Sequence, residues 1–198
     1  ALATTGFVMM AGSLGAYTIV RIGFKGSRAL LQVVMISYML PGVAMLIPIV
    51  VTERVLGFLD TIMGVMFAHS VFVLPLMTWF LATIFAGIPV DLEKAARVDG
   101  YTRAGCLFRV VLPLAATGFA LLTVFTFIIS WNELMFSSVT GVRSTRMMQP
   151  VVLEFSGPMK QVLPRAMGAG VISSLPVLLL AVVLQKYIIQ GIMRGAIK

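Results

Sequence analysis

Charge, cysteine and histidine are all scarce in this sequence, and each scarcity excludes a class of function. Charged residues make up 11% of the chain, while hydrophobic residues reach 60%. A soluble domain carries roughly 25% charged residues. Too little charge is present to clothe a water-solvated surface, so the solvent for this chain is lipid. A single cysteine, Cys106, excludes an internal disulfide. The single histidine, His69, is far from it in sequence, and neither has companions at metal-ligand spacing. That is a poor basis for a metal centre or a nucleophile–base pair, and His69 reads as a packed or interfacial side chain.

What is present is a set of five apolar stretches, each about the 20 residues that a membrane-spanning helix needs. They run about Leu2 to Val20, Leu30 to Thr52, Ile62 to Ala86, Leu114 to Phe136 and Ala166 to Ile189. The first is rich in small residues (Gly6, Gly12, Gly15, Ala16), which allow helices to pack closely in lipid. Pro41, Pro48 and Pro176 lie inside stretches and mark kinks. The expected fold is all-α, a polytopic transmembrane helical bundle forming one domain over residues 1–198. Ala1 stands inside an apolar stretch, as expected of a chain with an upstream segment.

Fifteen basic residues against seven acidic ones give a net charge of +8. Because the basic residues fall between apolar stretches, they read as topological charge rather than a nucleic-acid surface. Arg21, Lys25, Arg28, Lys94, Arg97, Arg103, Arg109, Lys186, Arg194 and Lys198 would share one side. Arg54, Arg143, Arg146, Lys160 and Arg165 would share the other. Cytoplasmic loops carry the excess, which places residues 89–113 and the tail 190–198 in the cytoplasm and Ala1 outside.

The segment Pro89 to Pro113 is the one long water-facing interruption. Pro89 starts a helical turn, Asp91 is a candidate cap and Gly100 a left-handed stop. Leu92, Ala95, Ala96 and Asp99 share a helical face, and the alanines admit another backbone. A second helix begins at Thr102, a candidate cap, with Leu107, Val110, Val111 and Leu114 on one face and Arg103 on the other. Pattern alone leaves two readings: an amphipathic connector lying in the headgroups, or an elbow that docks a partner.

A resemblance separates them. Lys94-Ala95-Ala96, three residues, Gly100, nine residues, then Val110, one residue and Leu112-Pro113 resembles the EAA loop of ABC-importer permease subunits. The family pattern has glutamate where this chain has Lys94, with Glu93 one position earlier. Arg21 to Arg28, Leu56 to Thr61, Trp131-Asn132-Glu133 and Gln185 to Lys198 resemble further parts of the carbohydrate-importer branch, the smaller permease of maltose-type transporters. Such subunits have six spans, so the five here are expected to be spans two to six, with the first missing.

The resemblance implies a type I importer permease fold in a bacterial cytoplasmic (inner) membrane, multi-pass. It implies a hetero-dimer with a second permease, two ATP-binding subunits and an external binding protein or lipoprotein that delivers a sugar or oligosaccharide. This chain would bind no cofactor, ATP and Mg being used by the partner ATPase. Glu93, Lys94, Ala95, Ala96, Asp99, Gly100, Leu112 and Pro113 would couple to the ATPase. Gln190, Gly191, Gly195 and Lys198 would make a second contact with it, the alternative being a tail resting on lipid. Trp131, Asn132 and Glu133 would line the translocation path, or else sit at the outer interface, where aromatics and carboxylates are ordinary. The rival classes are an ion-coupled secondary transporter, which would show ionisable groups at mid-membrane, and a channel subunit.

Overall fold

The computed structural model describes residues 1–154 and 163–196, with side chains described up to 154, over 164–183 and at 185. Among these residues every regular element is a helix. Helix α1 (Leu2–Tyr17) continues through a π-turn, Thr18–Ile22. Next come α2 (Ser27–Tyr38), α3 (Gly42–Leu56) and the long α4 (Ile62–Ala86). The segment 89–114 holds α5 (Val90–Val98), α6 (Arg103–Cys106), a π-turn (Leu107–Val111) and α7 (Leu112–Leu114). Then follow α8 (Ala116–Trp131), two short helices, α9 (Ser137–Thr140) and α10 (Met148–Glu154), and α11 (Leu163–Ala196).

The core forms where α1, α4 and α8 meet, around Val8, Ala16, Met77, Leu81 and Phe85. The small residues of α1 act as expected at Gly12, where a Cβ would stand 3.3 Å from the Leu81 side chain. Hydroxyls within the apolar helices are satisfied by their own helix: Ser13 donates to the Met9 carbonyl, Thr78 to Leu74 and Thr126 to Leu122. With no water to solvate them, these bonds remove the cost of an unpaired polar group in hydrocarbon.

Among the described residues, helices Leu2–Ile22, Ile62–Ala86 and Pro164–Val183 are each long and apolar enough to cross a membrane, and counting each of two bent pairs as one span gives five. The two bends fall beside Pro41 and Pro113, and their size is new. The stretch from Leu30 to Thr52 breaks before Pro41, with 99° between α2 and α3. Pro41 adopts an extended backbone and stands as N-cap of α3, where its missing N–H costs nothing. Pro48, by contrast, stays inside α3. The stretch from Leu114 to Phe136 is helical over Ala116–Trp131, and a bend of 87° at Ala115 separates it from the segment Arg103–Leu114.

Contacts between ends set the directions. Arg21 reaches the carbonyls of Phe85 and Ile88, so α1 and α4 run parallel. His69 near the start of α4 meets Ser130 near the end of α8, so α8 runs antiparallel to both. Arg21, Lys94, Arg97 and Arg103 therefore gather at one end, around Glu93. Arg143 lies at the other end, its amide donating to Asp60 in the turn between α3 and α4. These five fall as the partition by charge groups them; Lys160 and Lys198 lie outside the described residues, as do the side chains of Lys186 and Arg194.

Candidate functional site

The elbow is built by local chemistry first. Pro89 occupies the N-cap of α5 without a side-chain cap. Asp91, expected to cap, instead accepts from Lys94 Nζ at 2.8 Å, one turn along the exposed face. That hydrogen bond and the positive charge of Lys94 hold the Asp91 carboxyl below its ordinary range. Gly100 has φ +88°, a left-handed conformation that ends the helix and that a Cβ would strain. Thr102 caps as expected, its hydroxyl accepting the Gly105 amide at 3.1 Å. The guanidinium of Arg109 lies 5.6 Å from the centre of the Tyr101 ring, closing the corner with a cation–π contact.

Long-range contacts then fix the elbow to the membrane helices. Glu93 is buried, and its Oε1 lies 2.9 Å from Arg21 Nε. Its Oε2 accepts from the Tyr17 hydroxyl at 2.9 Å. The same Arg21 donates to the carbonyls of Phe85 and Ile88, where α4 ends. One carboxylate thus ties α5 to α1 and, through Arg21, to α4. Cys106, Leu107 and Val111 are buried beneath the elbow, and Ala96 packs inward. Lys94, Ala95, Asp99 and Gly100 are exposed, as are Leu92 and Val98. Leu112 is half-buried and Pro113 exposed at the bend into α8.

The two glutamate-position candidates therefore separate. Glu93 faces inward and fastens the elbow, and Lys94 faces outward. Tyr17 and Arg21 escaped sequence reasoning as partners of Glu93; Tyr17 is 76 positions away, and no local pattern links them.

At the opposite end, Trp131, Asn132 and Glu133 part company. The Trp131 ring stacks on Phe127 at 5.7 Å, and its N–H donates to the Ser173 carbonyl of α11 at 2.9 Å. Asn132 is exposed and borders a cleft between α8, α10 and α11. Glu133 turns inward. It accepts from the amides of Phe136 and Ser137, both at 2.9 Å, and lies 3.2 Å from His69 Nε2. These bonds hold the half-buried carboxylate in place. His69, buried as expected, also contacts the hydroxyls of Ser130 and Ser137 at 2.9 and 3.0 Å. Glu133 is thus a tie between α4, α8 and α9 rather than part of the cleft. The tail residues Gln190, Gly191 and Gly195 lie on α11, their side chains outside the described set, and Lys198 is outside the described residues.

Residues 8–194 match the model of a family described as "Binding-protein-dependent transport system inner membrane component". The chain belongs to this family. It is an inner membrane permease of a binding-protein-dependent ABC transport system. It is 31% identical to a trehalose transport system permease protein of Mycobacterium tuberculosis, over all of this chain and 73% of that protein. It is 32% identical to a trehalose/maltose transport system permease protein of Thermococcus litoralis, over 94% of this chain and 68% of that one. A crystal structure of a bacterial ABC transporter that imports the acidic polysaccharide alginate shares the permease fold. There the TM-score is 0.67 at 23% identity, over 93% of this chain and 73% of that chain. Family membership separates this permease from the ion-coupled transporters and channels that composition alone left open.

Proposed function

We propose that this permease imports a sugar or oligosaccharide, forming half of the translocation path beside a second permease subunit. Two cytoplasmic ATPases hydrolyse ATP with Mg, and an external binding protein delivers the substrate. The sugar class is supported by the similarity to trehalose and trehalose/maltose permeases. The elbow 89–113 faces the cytoplasm and seats on the ATPase. The observation that carries this reading is the Tyr17–Arg21–Glu93 tie beneath an exposed face that includes Leu92, Lys94, Ala95, Val98 and Asp99. A short helix joined by a buried ion pair to two membrane helices moves with them as a rigid body. A pull on the exposed face is delivered directly to the ends of α1 and α4. In this arrangement Lys94, rather than Glu93, meets the partner, and Glu93 conveys the motion inward. The tail 190–198 supplies a second contact with the ATPase.

Reconstitution in proteoliposomes with the partner permease, ATPases and binding protein tests the proposal. Uptake of trehalose or maltose should require ATP and persist when the proton gradient is collapsed; the reverse pattern would overturn it. Gly100→Asp, which forces a side chain into φ +88°, should leave ATP hydrolysis measurable while lowering the sugar moved per ATP. Wild-type coupling in that variant would remove the elbow from the mechanism. Deleting residues 191–198 and measuring copurification of the ATPase tests the tail.

A further inference from the structure

The cleft at the outer end of α8 has about 320 Å³ of open space, within the range of small-molecule sites. Its polar lining is Asn132, Gln149, Ser173 and Ser174, with Val177 and Leu178 supplying apolar surface. No charged side chain lines it among the described residues. Gln149 Nε2 sits between Ser173 Oγ at 3.2 Å and Asn132 Oδ1 at 3.4 Å, so groups from α8's end, α10 and α11 converge. Trp131 holds the walls at a set spacing by bonding α8 to the Ser173 carbonyl. Of the carboxylates nearby in sequence, Glu133 is engaged by His69 and two amides, and Glu154 pairs with Arg146.

We propose that this cleft is a subsite for a neutral sugar in the translocation path, with Gln149, Ser173 and Ser174 joining Asn132 as its contacts. The inference rests on the sugar-import reading above and specifies where this subunit touches its cargo and which class it admits. Amides and hydroxyls provide both donors and acceptors, which is what ring hydroxyls require, each being one donor and two acceptors. Among the described lining residues the carboxylate of an acidic sugar would find no cation to face, and neutral groups offset its desolvation cost poorly. The existing bonds among the side chains are long, 3.2–3.4 Å, and so are readily exchanged for bonds to a passing hydroxyl. Weak, exchangeable binding suits a path, because cargo must leave as readily as it enters.

The experiment uses the assembled transporter in proteoliposomes with sugar-loaded binding protein in excess, and reads sugar delivered per ATP hydrolysed. Gln149→Ala should lower that ratio about threefold to tenfold, the loss expected for one or two neutral hydrogen bonds. Gly170→Leu should lower it further: Gly170 lines the cleft, and a Cβ there meets nothing within 4 Å, so bulk can be added at its wall. Ser138→Ala, outside the cleft, is the control and should match wild type. Cys106 is buried, so Ser174→Cys offers a maleimide one accessible thiol in this chain. Trehalose should slow that labelling and glucuronate should not. Wild-type ratios in both Gln149→Ala and Gly170→Leu would overturn the subsite and leave sugar import standing. Equal protection by glucuronate would overturn the neutral class. A wild-type transporter that moves neither trehalose nor maltose would count against the sugar reading itself and remove the class assigned to this cleft.

Discussion

The two ends of this permease both use a buried or half-buried glutamate to fasten a surface segment, yet they do so with different physics. At the elbow, Glu93 faces a full positive charge, Arg21, and both are nearly sealed from solvent. At the opposite end, Glu133 is held mainly by local amides, with His69 as its long-range partner among the described residues. A buried charge pair resists separation strongly, because either partner alone is left uncompensated. Amide caps resist less, because each lost bond is small and water is close. The elbow end is therefore the stiffer of the two, and the end at Glu133 holds loops in place beside a cleft.

The contrast can be broken most severely at Glu93. Glu93→Ala leaves Arg21 buried without a counter-charge, at an expected cost of about 3–5 kcal/mol. Thermal unfolding of the detergent-solubilised permease should show a correspondingly lowered midpoint. The double variant Arg21→Met, Glu93→Leu should recover part of that stability: it removes the uncompensated charge but leaves the Tyr17 hydroxyl and the Phe85 and Ile88 carbonyls without these partners. If the double variant were no more stable than Glu93→Ala, the ion pair would not be the source of the loss.

A smaller effect is expected at the outer end. His69→Ala strips a partner from Glu133, Ser130 and Ser137 together. About 1–3 kcal/mol should be lost in the same melt. A loss equal to that of Glu93→Ala would erase the distinction between the ends.

The smallest effect concerns Asp60, which sits at φ +59° and accepts from the amides of Arg143, Ser144 and Thr145. Hydrogen bonds from Ser144 and Arg143 hold its carboxyl far below the ordinary value of 3.8. A depressed folded pKa contributes stability that is complete above the unfolded value and lost as pH falls through the folded one. Asp60→Asn removes the titrating carboxyl, so the 141–146 loop of that variant should lose the acid-dependent loosening expected of the wild type. Acid below about pH 4 should loosen the wild-type loop progressively. Limited proteolysis at Arg143 and Arg146 reads both, and loosening of the wild type already at pH 6 would show that Asp60 is not the anchor.

Much of this was legible in residue order, and the reasons are local. Gly100 and Thr102 announce a left-handed stop and a cap because each acts on backbone within three residues. The deficit of charge identifies lipid as solvent without reference to any contact. Asp91 was misread because two local partners compete for it, the α5 amides and the Lys94 ammonium, and the full charge prevailed. The bend at Pro41 was marked by the proline, but not its 99° size, which depends on where α3 finds α4 and α9.

What the sequence determined by itself is the class of solvent, the number of apolar stretches and the spacing of the elbow. These follow from composition and from backbone rules that reach only a few residues. The tertiary structure alone decided that Glu93 points in and Lys94 points out, since adjacent residues on a helix differ by ~100° in direction and the neighbour that selects between them is distant in sequence. It also decided that Glu133 would be taken by His69 while Asn132, Gln149 and Ser173 converged on one cleft. A side chain's role in lipid is set by which partner comes within hydrogen-bond reach, and only the packing of α4, α8, α10 and α11 brings those partners there.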